Sequence, residues 1–202
     1  NVSLSVKFMY LDLFDSRPIL RSLHIWKIIV RLRIKIFMWF VHKGVILTKD
    51  DLVKWRWVSS SWCCLCHHDE TIQLLFLDFS LAKLLWRTLH IAFNVNPPIS
   101  MNTLFGTWLH GVDLKIGGHI WIGACALFWA ICNCRNDMIF NGKEINNFLQ
   151  IIFRTTAWID TWSLLTHADS SELLVTRCNW WDTVARVILN RFGWRANNIL
   201  GV

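Results

Sequence analysis

The chain has 202 residues, 54% of them hydrophobic, with three prolines, nine glycines and a formal net charge of +7. That apolar content excludes a disordered chain and is ample for a packed core, as one sizeable domain or two small ones. Long apolar segments with few breakers and little strict alternation favour helices over a multi-stranded sheet, so the expected fold class is all-α. The positive charge is local: residues 1–60 hold eleven Lys/Arg against four Asp/Glu, and residues 61–202 hold ten of each. A field of that sign suits a polyanion, and equally a solvated basic face.

Residues 1–15, NVSLSVKFMYLDLFD, alternate loosely and read as an extended or short helical lead-in. In residues 19–45 the run Val30-Arg31-Leu32-Arg33-Ile34-Lys35-Ile36 alternates like a strand, while His24, Lys27, Arg31, Lys35 and His42 fall near one helical face. Periodicity leaves both open there. Thr48-Lys49-Asp50-Asp51 carries the pattern of a helix start, with Leu52 and Trp55 turned inward. A Cys/His-rich loop follows. Residues 80–91 carry a helical stripe at 81, 84, 85 and 89, ended by Asn94, Asn96 and the Pro97-Pro98 pair, a candidate hinge. Ser100 is placed to cap a helix holding Leu104, Phe105, Trp108 and Leu109 and stopping near Gly111.

A longer helix is expected over residues 119–140, stopped by Asn141-Gly142. Residues 116–134 are uncharged, but their dense apolar part, 120–132, is shorter than the roughly 20 residues a bilayer requires, so a buried core helix is expected and not a membrane span. Ile145, Phe148, Leu149, Ile152, Thr156 and Ile159 mark another helix, and Trp181, Val184, Ala185, Ile188, Leu189 and Phe192 a last one.

The densest chemistry lies in WCCLCHHDETIQLLF, residues 62–76, where three cysteines and two histidines occupy positions 63 to 68. Structural zinc takes four thiolate or imidazole donors in a tetrahedron, delivered as two short clamps. Cys63-x-x-Cys66 is one such clamp, and His67 and His68 sit too close to Cys66 to make an easy second. With seven cysteines, an odd number, and no secretory signal at its start, the sequence points to a reduced compartment, cytoplasm or nucleus. It opens on Asn1 in what already reads as mid-domain sequence, so a piece of a longer reading frame is expected.

Several separated stretches occur in a telling order: LSVKFMY, IWKIIVRLRIKIFMWFVHKGVILTKDDL, the cysteine clamp, DETIQLLFLDFSLAKLLW and ALFWAICNCRNDMIF. Together, over roughly residues 4–160, they resemble the reverse transcriptase zinc-binding domain found downstream of the polymerase in plant non-LTR retrotransposons. The resemblance implies a C-x2-C-x7-H-x4-C ligand pattern. Its cysteines match Cys63 and Cys66, its histidine position falls on Leu74 and its last cysteine on Phe79, side chains that coordinate no metal. Arg31 stands where the family often has proline, and Cys132 where it often has tryptophan. Kinship also implies that residues 30–42 are helical.

The expected organisation is a lead-in over 1–15, an irregular helical zinc-binding-like domain with a degenerate knuckle loop over 16–95, and a helical C-terminal region over 96–202. The leading functional expectation is a non-catalytic accessory module of a retrotransposon reverse transcriptase, part of that parent polypeptide, ancestrally binding RNA or DNA and metal-defective here. Lys27, Arg31, Arg33, Lys35 and Lys43 are the candidate nucleic-acid contacts, interleaved with Trp26, Phe37, Trp39 and Phe40, which as large aromatics at helical spacing read mainly as core. Two alternatives stand beside it: a zinc site completed by His67, His68 or His90, and a helical structural or interaction protein with no nucleic-acid role. Tyr10-Leu11-Asp12-Leu13 lacks the second carboxylate of a polymerase motif, and no phosphate-binding loop or nucleophile elbow occurs, so neither catalysis nor a small-molecule substrate is expected.

Overall fold

The computed structural model describes residues 23–54, 61–63, 66, 68–143 and 147–193. The lead-in 1–15, Trp55, His67 and Ile145 lie outside them. Among the described residues the chain is helical, with a single isolated antiparallel bridge and no strand, so the fold is all-α. In chain order the helices are α1 (Leu23–Lys27), α2 (Leu32–Lys43), α3 (Lys49–Lys54), a π-helical turn (Leu74–Asp78), α4 (Ser80–Phe93), α5 (Met101–Gly106), α6 (Leu114–Asn141), α7 (Leu149–Ser163) and α8 (Ala168–Phe192).

The ambiguous basic segment resolves into two helices. Ile28 and Val30 are both buried with Ile29 exposed between them, in a short bend where Val30 N–H donates to the Ile28 carbonyl at 3.0 Å and which interrupts the helical face expected to run from Lys27 through Lys35. Beyond it α2 buries Ile34, Phe37, Met38 and Val41, a 3.6-residue stripe, and stops at Gly44, whose φ of 71° gives the left-handed cap a side chain would resist.

In α4 the buried stripe Leu81, Leu85, Leu89 and Ala92 is flanked by Trp86, whose indole N–H donates to the Phe76 carbonyl at 2.8 Å. Ser100 accepts from the Thr103 N–H, as a cap should, but α5 ends at Gly106, and Trp108 and Leu109 belong to the turns after it. Two expectations placed helix starts too late. α6 begins at Leu114 and not near His119, because Asp113 caps it by accepting from the Lys115 and Ile116 N–H groups at 2.9 and 3.2 Å, and the helix runs through Gly117-Gly118. α8 begins at Ala168, more than three turns before Trp181.

α6 is the central element. It packs on α7, on α2, on α4 and on the π-helical turn, while α8 packs across α7 and α4. It is long and apolar enough to cross a membrane, yet 72% of its most apolar window is buried inside the fold. Phe76 of the π-turn stacks on Phe128 of α6 at 4.4 Å, and Trp86 meets both Phe128 and Trp108 edge-on. From the other side Trp181 of α8 donates to the Thr88 hydroxyl at 2.8 Å. One cluster of buried side chains thus runs from Ile25 to Ala185.

Candidate functional site

The cysteine clamp sits in a loop closed by a minimal ladder. Cys63 N–H donates to the His68 carbonyl at 2.8 Å and Glu70 N–H to the Ser61 carbonyl at 3.0 Å, on either side of the Trp62–Asp69 bridge. Ser61 Oγ holds Asp69 Oδ1 at 2.5 Å, and the Lys49 ammonium reaches the Trp62 carbonyl at 2.8 Å. Within the loop His68 N–H returns to the Cys66 carbonyl at 2.8 Å. Cys63 is buried and Cys66 half-buried. Burial first, then the neighbouring Cys63 thiol and a hydrogen bond to it, push the Cys66 thiol up to about 11. The two thiols are therefore neighbours, with Cys66 holding its proton at neutral pH.

The second half of the family pattern falls on the π-helical turn. Phe79 N–H donates to the Leu74 carbonyl at 3.0 Å, the i to i+5 bond of a π-turn. Leu74 and Phe79, where the resemblance places the remaining two ligands, are thus the two ends of one backbone hydrogen bond. The side chains in those places are apolar: Leu74 packs against the core and Phe79 is buried within it. His68 is exposed beside the loop, and His90 lies in the last turn of α4. Among the described residues no group of three or more His, Cys, Asp or Glu side chains is arranged to hold a metal ion.

What locks the loop in place is an ion pair that sequence reading missed. Glu70, with no exposed side-chain surface, accepts from Arg135 Nη2 at 2.5 Å and from its Nε at 3.1 and 3.3 Å. Glu70 Oε1 also accepts the Lys49 N–H at 3.1 Å, and Arg135 Nη2 reaches the Leu47 carbonyl at 3.4 Å. One carboxylate thus joins the start of α3, the knuckle and α6 across 65 positions of sequence. The available signal was an acid at the head of one recognition stretch, DETIQLLF, and a base following the apolar run of another, AICNCRND. Gln73 makes a second tie: its side chain donates to the Ile99 carbonyl at 3.2 Å and accepts the Met101 N–H at 3.1 Å.

The five basic candidates do not form one stripe. Lys27 and Arg31 are exposed, at the end of α1 and at the N-cap of α2. Arg33 and Lys35, two residues apart, leave α2 on opposite flanks. The Arg33 guanidinium lies over the Trp129 and Trp158 rings at 5.7 and 5.1 Å, and the Lys35 ammonium binds the Trp26 carbonyl at 2.8 Å. Lys43 is half-buried in the last turn of α2, lining an open cleft of about 430 Å³ with His42, Asp50, Asp51 and Gln73. Of the interleaved aromatics Phe37 is core, packed edge-on to Phe76 and Trp129; Trp39 and Phe40 are half-buried and Trp26 is exposed.

A family model described as zinc-binding in reverse transcriptase matches residues 4–86. The match spans Cys63, Cys66, Glu70, Leu74 and Phe79, and stops short of the ALFWAICNCRNDMIF stretch. No curated protein and no solved structure matches the chain. Over residues 4–86, with the clamp, the ET pair and the π-turn inside the matched segment, this chain is similar to the reverse transcriptase zinc-binding family.

Proposed function

We propose that this chain is a non-catalytic accessory module of a retrotransposon reverse transcriptase, of the plant non-LTR kind, that has lost its metal and retains the scaffold of a nucleic-acid-binding domain. The observation carrying the reading is the knuckle itself. Its loop is closed and its two thiols are neighbours, while the positions the resemblance implies for the other two ligands carry Leu74 and Phe79. Four donors are the ordinary requirement of a structural zinc site, and two of the family's four positions here carry none. Apolar packing of Leu74 and Phe79 replaces what a metal would contribute to holding the turn. In the working protein the parent reverse transcriptase polypeptide is the physical partner, in the cytoplasm or nucleus.

The test is zinc stoichiometry by elemental analysis of the reduced chain beside a Cys63→Ser/Cys66→Ser control. No zinc above the control supports the reading; one tightly held zinc lost in the control overturns it and revives a site completed by His67, His68 or His90. RNA or DNA contact is assigned to the exposed Lys27 and Arg31, with Arg33, Lys35 and Lys43 as the remaining candidates. Replacing Arg31, Arg33 and Lys35 by glutamine should weaken RNA binding and flatten its salt dependence. The internal engagement of Arg33 by two tryptophans and of Lys35 by a carbonyl favours a second reading, a helical structural or interaction protein. Negligible retention on heparin or RNA at moderate salt selects it.

A further inference from the structure

Among the described residues, an exposed apolar feature with a regular repeat lies on α8. Leu173, Trp180 and Val187 are 42%, 51% and 56% exposed, although a surface helix with one apolar face would turn such residues inward. They recur every seventh position, so they line one stripe along the helix, about 21 Å long at 1.5 Å per residue. Thr176 and Thr183, exposed between them, are small enough to let another backbone approach. The opposite side of α8 is already occupied: Leu174, Cys178, Trp181 and Ala185 are buried in the core. α8 is therefore apolar on two sides, and only one is packed against other described residues.

We propose that this stripe is a two-fold interface between two copies of the chain, with their α8 helices packed antiparallel about Trp180. The register is symmetric: Leu173 and Val187 lie seven residues either side of Trp180, so each meets the other's counterpart in the second copy and the two indoles meet at the axis. Charge supports the same occupant. Glu172 and Arg186 flank the stripe on one edge, at opposite ends, with the Arg186 guanidinium resting over the Phe153 ring of α7 at 4.6 Å, so antiparallel packing brings each acid to the end of the stripe where the base of the second copy lies, twice by symmetry. Parallel packing in register would lose both pairs. The interface is isologous and closes at two copies.

Sedimentation of the whole chain between about 1 and about 100 µM at low salt, a range spanning weak to moderate association, tests it. The wild type should be a reversible dimer. Trp180→Glu, at an outward position, should keep its helical circular dichroism and sediment as a monomer. Glu172→Arg should weaken dimerisation by roughly tenfold or more, and Glu172→Arg/Arg186→Glu should recover it. A wild type that stays monomeric throughout overturns the proposal. So does a dimer indifferent to Trp180→Glu, or a double variant no better than the single.

Discussion

Removing the Glu70 carboxylate should be the most damaging polar substitution in the fold. Glu70→Ala leaves the Arg135 guanidinium buried with only the Leu47 carbonyl and the Asn136 side chain as partners, and it frees the Lys49 N–H. Breaking a buried ion pair from one side costs about 3 to 5 kcal/mol, because the remaining charge is neither solvated nor paired. Native domains are stable by about 5 to 15 kcal/mol in all, so a third or more of the margin is at stake. At roughly 2 to 4 °C per kcal/mol for a chain of this size, the melting temperature should fall by about 6 to 20 °C. Thermal and urea unfolding followed by tryptophan fluorescence measures this, fourteen tryptophans giving ample signal. The decisive comparison is the cycle with Arg135→Met. Glu70→Leu/Arg135→Met should be markedly more stable than either single variant, since an apolar pair of similar volume needs no solvation. A Glu70→Ala loss under about 1 kcal/mol, or strictly additive variants, would refute the assignment of this pair as the tie between knuckle and α6.

Further outcomes follow from the same geometry. Leu74→His/Phe79→Cys, which adds to Cys63 and Cys66 the two donors the resemblance implies, should give zinc binding at one equivalent, read by elemental analysis and a fall in free thiols; stoichiometry equal to the wild type's would contradict the proposed ligand positions. Gly118 is exposed in the interior of α6, and a Cβ there meets nothing within 4 Å, so Gly118→Ala should stabilise the fold by about 0.5 to 1 kcal/mol in urea titrations. Asp160 on α7 and Asp182 on α8 are both held above the ordinary carboxylate value of 3.8, by burial first of all. The fold therefore favours their neutral forms. Their cost is absent below the unfolded value and grows as pH rises through the folded one, so Asp182→Asn should raise the melting temperature near pH 7 and leave it unchanged near pH 3. Arg31 has φ near −59° and an extended ψ, which proline adopts freely, so Arg31→Pro should stabilise the start of α2 by about 0.4 to 1 kcal/mol.

Much of this fold was legible in the sequence where periodicity and caps agree. The α4 stripe, the Ser100 cap and the Asn141-Gly142 stop are local chemistry, and local chemistry placed them. What escaped reading was set by tertiary contact. The start of α8 was hidden because Leu173 and Trp180 point outward beside inward Leu174 and Trp181, which scrambles a single-face pattern. α6 ran through two glycines that read as breakers, since Asp113 nucleates it and packing against α7 sustains it. The Cys63-x-x-Cys66 clamp is legible from spacing, whereas Leu74 and Phe79 are singled out by the resemblance alone. Glu70 with Arg135 was not legible, because no periodicity links positions 65 residues apart. The fate of Arg33 was equally hidden, as its tryptophans lie on α6 and α7.

The family match ends at residue 86, inside α4, at a tryptophan whose ring is wedged between Trp108 and Phe128 and whose N–H is tied to Phe76. The matched segment and the packed unit thus end in different places. A segment cut at residue 86 would carry the knuckle away with half a helix and without the Phe128 and Trp108 rings that cover Phe76 and Trp86. α6 is therefore the lining of a segment that ends before it, and the two are one mechanical unit.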